Sequence, residues 1–422
     1  MDENFFKGEL GLEKESLRVD AYGFLPKTKH PFPNHPNIER DFCENQIEII
    51  TDVFYSIPEV YQQLLSIQQF ILKELANLNT GPEFLWPFSN PPYIRNEDDI
   101  HIATYSNHWK TKEEYRKYLA KKYGKRKMLF SGIHFNFSFE STFLESQFKS
   151  SAYESFFEYK NQLYLNLAKK ITQYAWLLVY LTSASPVADG SLINDESIGK
   201  DLKGEYASFR CSEIGYWNSF VPILNYSSLK DYINSIQVYI QNGKLKFLSE
   251  LYYPVRLKTK GENSLERLLT DGINHIELRM FDLNPLDPAG IKELDFTFVY
   301  YFIFYLTQLP EIDFGREEQV IAIENEKNAA KFHPDHIWIK EHGKMVPILK
   351  AAEAFLIKMK AFYKKHNRLD ILECIDFQLD KVLKPDHRYS AIIKKQYGYD
   401  FVHAGIEQMK KYTREAEGSM DV

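Results

Sequence analysis

Glu13 and Glu15 stand two apart in GLEKESLRVD, Gly11 to Asp20. In a strand the side chains alternate between faces, so these two carboxylates point the same way, about 7 Å apart. Leu17 and Val19 continue that face as apolar residues. Two carboxylates on a face that turns inward repel each other unless a cation lies between them. Two further segments behave alike. In SGIHFNFSFE, Ile133, Phe135, Phe137 and Phe139 share one face, and Gly132, His134, Asn136 and Ser138 the other. In NHIELRMFDL, His275, Glu277 and Arg279 oppose Ile276, Leu278 and Met280. A fourth segment, RDFCENQIEII, adds Asp41, Glu44 and Glu48. An antiparallel sheet with one wet face explains any one of these strands. Glu-x-Glu, a lone His and Glu-x-Arg together are metal-ligand types rather than the Lys, Thr, Gln and Ser of a solvated face. Hard oxygen ligands in this majority suit Mg²⁺ or Mn²⁺, and such sites usually clamp nucleotide phosphates. The chain has neither a GxxxxGK[ST] loop nor a GxGxxG after a strand. An ATP enzyme built this way must hold phosphates through metals and arginines lying on a sheet.

The elements that position these residues are strands alternating with amphipathic helices through the first 310 residues. Ser56 is a candidate cap for a helix with Pro58 in its first turn and an apolar stripe at Val60, Leu64, Ile67, Ile71 and Leu75. A long helix is expected over Tyr159 to Thr182, stopping at Ser185-Pro186, and a short strand over Gln46 to Thr51. After Pro310 the pattern is mostly helical, with Ile348, Ala352, Phe355, Met359 and Phe362 on one face. We read residues 1–310 as the catalytic core and 311–422 as a helical layer packed on it, one structural unit.

With 422 residues, 44% of them hydrophobic, the chain can bury a large core. A net charge of -6 gives no ground for a nucleic-acid or anionic-membrane partner. The basic run from Lys117 to Lys127 reads as a solvated helix end. Cys43, Cys211 and Cys374 form no CxxC pair, which fits a reducing compartment and argues against a structural zinc. The N-terminus MDENFFKGEL carries no evident secretory signal, and the apolar runs Ala175 to Leu181 and Phe296 to Leu306 fall short of the ~20 residues that span a bilayer. A cytoplasmic protein is expected.

GLEKESLRV, then HP ten residues later, DFCENQIEIIT, LWPFSNPPYI, SGIHFNFS, ASPV, FRCSEIGY, ELYYPVR and IELRMFDLNP follow one another in this order. Together they resemble the bacterial glutamate–cysteine ligases, the enterobacterial type also found as the first half of bifunctional glutathione synthetases. The likeness runs from Gly11 to about Gly290. It implies an α+β fold similar to the catalytic domain of glutamine synthetase, with a curved, mainly antiparallel sheet carrying metals on its concave face and helices outside. The implied reaction is ATP-dependent joining of glutamate to cysteine through a γ-glutamyl phosphate, with two or three Mg²⁺ or Mn²⁺ ions. A glutathione synthetase is then the implied downstream partner.

On that resemblance, Glu13, His134 and Glu277 match ligands of a metal on the nucleotide phosphates, and Glu15, Asp41 and Glu48 those nearer the amino acid. Glu44 is expected to face away or pair with a base. Arg279 would offer its guanidinium fork to the γ-phosphoryl group. Arg116 and Arg256 are nucleotide candidates, as is Lys258. The family prompts no role for His275, which reads as a core or rim residue. Tyr115, Leu119, Arg210, Tyr216 and Tyr252 form the implied cysteine pocket, Arg210 binding the carboxylate. Composition alone would not pick these three tyrosines out of 28. Departures from the family pattern are Met128, where a polar residue is expected near the cysteine pocket, Cys43 inside the acidic motif, and the segment Asp189 to Glu205. They bear on the amine acceptor, leaving a ligase for another small amine as the second reading. A catalytically silent relative used as a binding subunit is the third.

Overall fold

The computed structural model describes residues 6–105, 110–193 and 205–418. Most of the segment from Asp189 to Glu205 therefore lies outside the described residues. Seven strands make the main sheet: β1 (Gly8–Asp20), β2 (Ile38–Arg40), β3 (Gln46–Ile50), β4 (Glu83–Leu85), β5 (Gly132–Phe139), β6 (Val255–Lys258) and β7 (His275–Asp282). Their order is β2-β3-β1-β5-β7-β6, with β4 on the far end of β1, and every pairing is antiparallel. A separate hairpin, β8 (Trp338–Glu341) and β9 (Lys344–Pro347), turns at His342-Gly343. Both turn residues have positive φ, as a two-residue hairpin turn requires.

One face of the sheet is covered by helices. Leu10 and Leu12 of β1, Ile133, Phe135 and Phe137 of β5, and Ile276 and Leu278 of β7 join the main apolar cluster. Phe135 packs its ring on Phe296 and Phe137 on Phe304, both in the helix Glu293–Thr307. Helix Ile57–Ala76 buries the expected stripe of Val60, Leu64, Ile67, Ile71 and Leu75. Ser56 is its N-cap residue, but the hydroxyl donates to Glu59 (2.6 Å) instead of accepting from the helix backbone. The long helix begins earlier than expected, at Phe156, because Ser155 caps it by accepting from Glu158 N. It still ends at Thr182.

The opposite face carries the ionisable residues and then becomes apolar again. Leu17 and Val19, on the same side as Glu13 and Glu15, belong to a second apolar cluster with Phe42, Cys43, Leu119, Met128 and Tyr252. Beyond residue 310, helix Arg316–Ala329 packs along helix Phe156–Thr182, and helix Phe401–Gly418 along helix Ile57–Ala76. Among the described residues no helix is long and apolar enough to cross a membrane.

Candidate active site

Strand register assembles the cluster. Glu13 of β1 lies directly opposite His134 of β5, and Glu15 directly opposite Glu48 of β3. Like charges facing each other across a ladder are destabilising, so this pairing is costly unless something neutralises it. On β7, Glu277 pairs with Asn136 on one side and with Arg256 of β6 on the other. Ligand atoms of Glu13, Glu48 and His134 all lie within 4.8 Å of one another. His134 Nδ1 is 3.0 Å from Glu13 Oε2 and 3.4 Å from Glu277 Oε1, and its Nε2 is 3.7 Å from Glu15 Oε1. Five strands thus converge on one patch of the sheet.

The electrostatics separate these carboxylates into two kinds. Glu277 is almost fully buried, and burial alone would raise its pKa. Arg279, Lys258 and Arg256 outweigh that and hold it well below the usual range. Arg279 Nη1 donates to Glu277 Oε1 at 2.7 Å, and Lys258 Nζ lies 3.6 Å from Oε2. Glu13 also ends lowered: burial and Glu277 push it up, and the His134 hydrogen bond and Lys258 bring it down. Glu15 is pushed up to about 8 by burial and the nearby Asp41 charge, against Arg210 and Arg279. Glu48 is raised well above its normal value by burial and by Glu13, Asp41 and Glu15. Burial and Arg279 hold His134 down at about 4, so the imidazole is neutral at pH 7.

The donor set fits a hard divalent cation. His134 Nε2 and Glu277 Oε2 are buried without a hydrogen-bond partner. With Nδ1–H given to Glu13, the Nε2 lone pair has nothing to accept from. Glu15 and Glu48 are two carboxylates whose pKa burial and neighbouring negative charge raise, the situation a bound cation reverses. Asp41 sits in the turn after β2, half-buried, outside the three-residue group but close enough to raise both Glu15 and Glu48.

The remaining candidates take distinct places. Arg116 Nε donates to the Asp41 carbonyl and Nη2 to the Arg40 carbonyl at 3.3 Å, so it fastens the Asp41 turn. Arg116 and Arg40 both lie over the Tyr105 ring. Arg256 donates to the carbonyls of Leu251 and Ser249, with Nη1 3.9 Å from Glu277. Glu44 turns away from the cluster, accepting from Thr104 N and Oγ1 at 2.7 Å each and pairing with Arg40 at 3.5 Å. His275 rests on Asn274 at the other end of the sheet face. Leu119, Met128 and Tyr252 share the second apolar cluster, with Tyr115 and Tyr216 packed against it, and Tyr216 and Tyr252 meet edge to face at 4.7 Å. Arg210 lies beside this wall, buried, and enters no ion pair among the described residues.

Several contributors carry no role in the sequence reading. Asn136 donates to Glu13 Oε1 at 3.1 Å, and Gly132 N to Glu15 Oε2 at 3.0 Å. A side chain at position 132 would run into the Arg210 guanidinium, so only glycine lets that arginine approach. Asp282 accepts from Ala184 N, Ser185 Oγ and Ser208 Oγ at 2.8–3.0 Å, tying ASPV and the start of the Arg210 loop to β7. The alternation of β7 hides Asp282. Between the pairs Ile133–Phe281 and Phe135–Leu278, β7 has two residues, Arg279 and Met280, where β5 has only His134. This bulge moves Asp282 onto the polar face, opposite Gly132.

The family model of the glutamate–cysteine ligases matches residues 1–249 and 242–329. The chain is 36% identical over 429 residues to the glutathione biosynthesis bifunctional protein GshAB of Listeria monocytogenes, covering 98% of this chain and 55% of that protein. It is 35% identical over 366 residues to the Clostridium perfringens protein of the same name, covering 83% and 46%. The chain thus spans about half the length of the curated relatives it matches. Among solved structures it resembles a bifunctional glutathione synthetase from Pasteurella multocida, with a TM-score of 0.84 at 28% identity, over 98% of this chain and 53% of that one. It also shares the fold of a glutamate–cysteine ligase from Francisella tularensis in complex with AMP, with a TM-score of 0.85 at 22% identity, over 97% and 89%. Sequence order, sheet register and these matches agree: the chain belongs to the glutamate–cysteine ligase family.

Proposed function

We propose that this chain joins the γ-carboxylate of glutamate to the amine of cysteine at the expense of ATP, giving γ-glutamylcysteine, ADP and phosphate. The observation that carries this reading is the convergence of Glu13, Glu48 and His134 ligand atoms within 4.8 Å, with Arg279 alongside. Glu13, His134 and Glu277 would hold one divalent ion and Glu15, Asp41 and Glu48 another, Mg²⁺ or Mn²⁺ by their hardness. When bound, these ions neutralise triphosphate charge and draw a carboxylate toward it.

The three substrates take three stretches of one face. A cavity of about 500 Å³ lies beyond the nucleotide-side ligands, lined among others by Gly11, Asn136, Lys260 and His275. Gly11, Asn136 and His275 are each two residues along the strand from Glu13, His134 and Glu277, so the cavity continues the ligand face and suits the nucleoside. Arg279 faces the γ-phosphoryl group and stabilises the charge it spreads during transfer. The γ-carboxylate oxygen attacks that phosphorus, ADP leaves, and γ-glutamyl phosphate forms. At the other end, Arg210 receives the acceptor's carboxylate while Tyr115, Leu119, Met128, Tyr216 and Tyr252 wall its side chain. The acceptor nitrogen attacks the acyl carbon, phosphate departs, and the nitrogen loses a proton. The apolar wall keeps water from the acyl phosphate. A glutathione synthetase that adds a further residue to the dipeptide is the implied consumer of the product, as in the bifunctional relatives' name.

Met128 favours one alternative, a γ-glutamyl ligase for another small amine, because it presents no polar group to the acceptor. ADP release with Mg²⁺, ATP and glutamate, adding cysteine, 2-aminobutyrate and other amines separately, tests both. Cysteine giving the greatest stimulation supports the proposal. A different amine doing so replaces the acceptor, and no ADP with any amine from folded, ATP-binding protein overturns the ligase reading.

A further inference from the structure

Behind the acceptor wall lies a small cavity of about 40 Å³, lined among others by Arg210, Tyr216, Tyr252, Arg279 and Glu326. That is room for about three waters, each needing about 10–15 Å³ by this measure. Glu326 comes from the helix Arg316–Ala329, in the helical layer after residue 310. Its side chain is only 2% exposed, and Oε2 is buried with no hydrogen-bond partner. Across the cavity, Arg210 is 6% exposed and its Nε is likewise buried and without a partner. An orphaned donor and an orphaned acceptor thus belong to two residues that line one void large enough for water. Buried polar groups are rarely left so, and a bridging water satisfies both.

We propose that Glu326 is a positioning residue for the amine acceptor: through water in this cavity its carboxyl group fixes Arg210 by Nε, leaving the terminal guanidinium nitrogens to the acceptor's carboxylate. This rests on the reading of Arg210 given above. A direct ion pair would cancel the charge that Arg210 must present. A neutral acid one water away orients the guanidinium and leaves its charge intact. Burial, opposed by Lys327 and Arg210, pushes the Glu326 carboxyl up to about 8, so at pH 7 it is mostly protonated. The other groups turned toward it are Cys211, Tyr253 and Arg279, with Glu213, Glu324 and Lys127 beyond Lys327. Above pH 8 the ionised carboxylate competes with the acceptor for Arg210.

Hydroxylamine separates this role from a structural one, because it captures the acyl phosphate yet has no carboxylate to bind. The full chain and its Glu326→Ala and Glu326→Gln variants are assayed for ADP release with cysteine, 2-aminobutyrate or hydroxylamine. Glu326→Ala should raise the KM for both amino acids about 10-fold, about 1.4 kcal/mol, while hydroxylamine turnover is unchanged. Glu326→Gln should restore most of the affinity and abolish the rise in acceptor KM that the unaltered chain shows above pH 8. Equal losses with all three nucleophiles, or unchanged acceptor KM in Glu326→Ala, overturn the proposal while cysteine ligation by the unaltered chain stands. If Glu326→Ala does not fold, a pH profile of Glu326→Gln identical to the unaltered chain overturns it. Hydroxamate formation without any response to an amino-acid acceptor removes the reading of Arg210 and this inference with it.

Discussion

At the scale of single residues, chemically equal carboxylates differ in what they cost. Glu277 is surrounded by Arg279, Arg256 and Lys258, whereas Glu48 meets mainly Glu13, Asp41 and Glu15. Glu277→Gln strands three cations in a buried place and should destabilise the metal-free protein by about 3–5 kcal/mol. Glu48→Gln relieves repulsion and should raise its melting temperature. Both should lower ADP formation at least ~100-fold, the upper cost of losing even an outer-shell partner of a metal. Calorimetry on the two variants checks the opposite signs, and equal shifts would contradict the charge distribution. Glu15 adds a pH dependence. Its folded-state pKa of about 8 exceeds the ordinary 4.5, so its contribution is fully present below 4.5 and is lost as pH rises toward 8. Relative to Glu15→Gln, the metal-free protein should therefore lose stability between pH 4.5 and 8, and Mg²⁺ should abolish that loss. A difference independent of pH would show that Glu15 titrates normally.

At the scale of elements, the site depends on register and on one bulge. A one-residue slip of β5 against β1 would take His134 to the helix-covered face and destroy the cluster. The β7 bulge brings Asp282 round to hold Ala184, Ser185 and Ser208. Asp282→Asn keeps the size but cannot accept at both ends, so it should cost about 1–3 kcal/mol. Because those contacts carry the loop to Arg210, acceptor KM should rise more than the KM for ATP. Steady-state kinetics with each substrate varied measures the split, and equal changes would place Asp282 in stability alone. Gly132 is the second element-level device. Gly132→Ala should displace the Arg210 guanidinium and weaken amino-acid acceptors, with hydroxylamine capture retained.

At the scale of the molecule, we infer that residues 1–310 and 311–422 unfold together. The main apolar cluster runs from Phe6 to Ala416, and a buried network crosses the boundary. Lys381 Nζ and Gln378 Nε2 each donate to Asp295 Oδ1 at 2.9 Å, and Tyr389 OH to Oδ2 at 2.6 Å. Lys381→Met takes away the buried cation that pairs with Asp295, and should cost about 3–5 kcal/mol. Urea unfolding should show one transition whether followed by tryptophan fluorescence or circular dichroism, shifted to lower urea in this variant. Two transitions would mark the C-terminal layer as a separate unit.

Much of the candidate site was legible in residue types and spacing. Alternation along β1, β5 and β7 depends only on backbone geometry, so the sequence alone placed Glu13, Glu15, His134, Glu277 and Arg279 on polar faces. The helix stripes followed in the same way from a 3.6-residue period. Which strands are neighbours is a different matter, because pairing is decided by contacts between segments separated by tens of residues to more than a hundred. Only the tertiary structure set Glu13 against His134, Glu15 against Glu48, and Arg256 against Glu277. It also decided which carboxylates find cations and which find each other, a difference that no single segment encodes. The bulge that redirects Asp282 and the packing that brings Glu326 under Arg210 arise from the same cause: they are properties of how the layers meet.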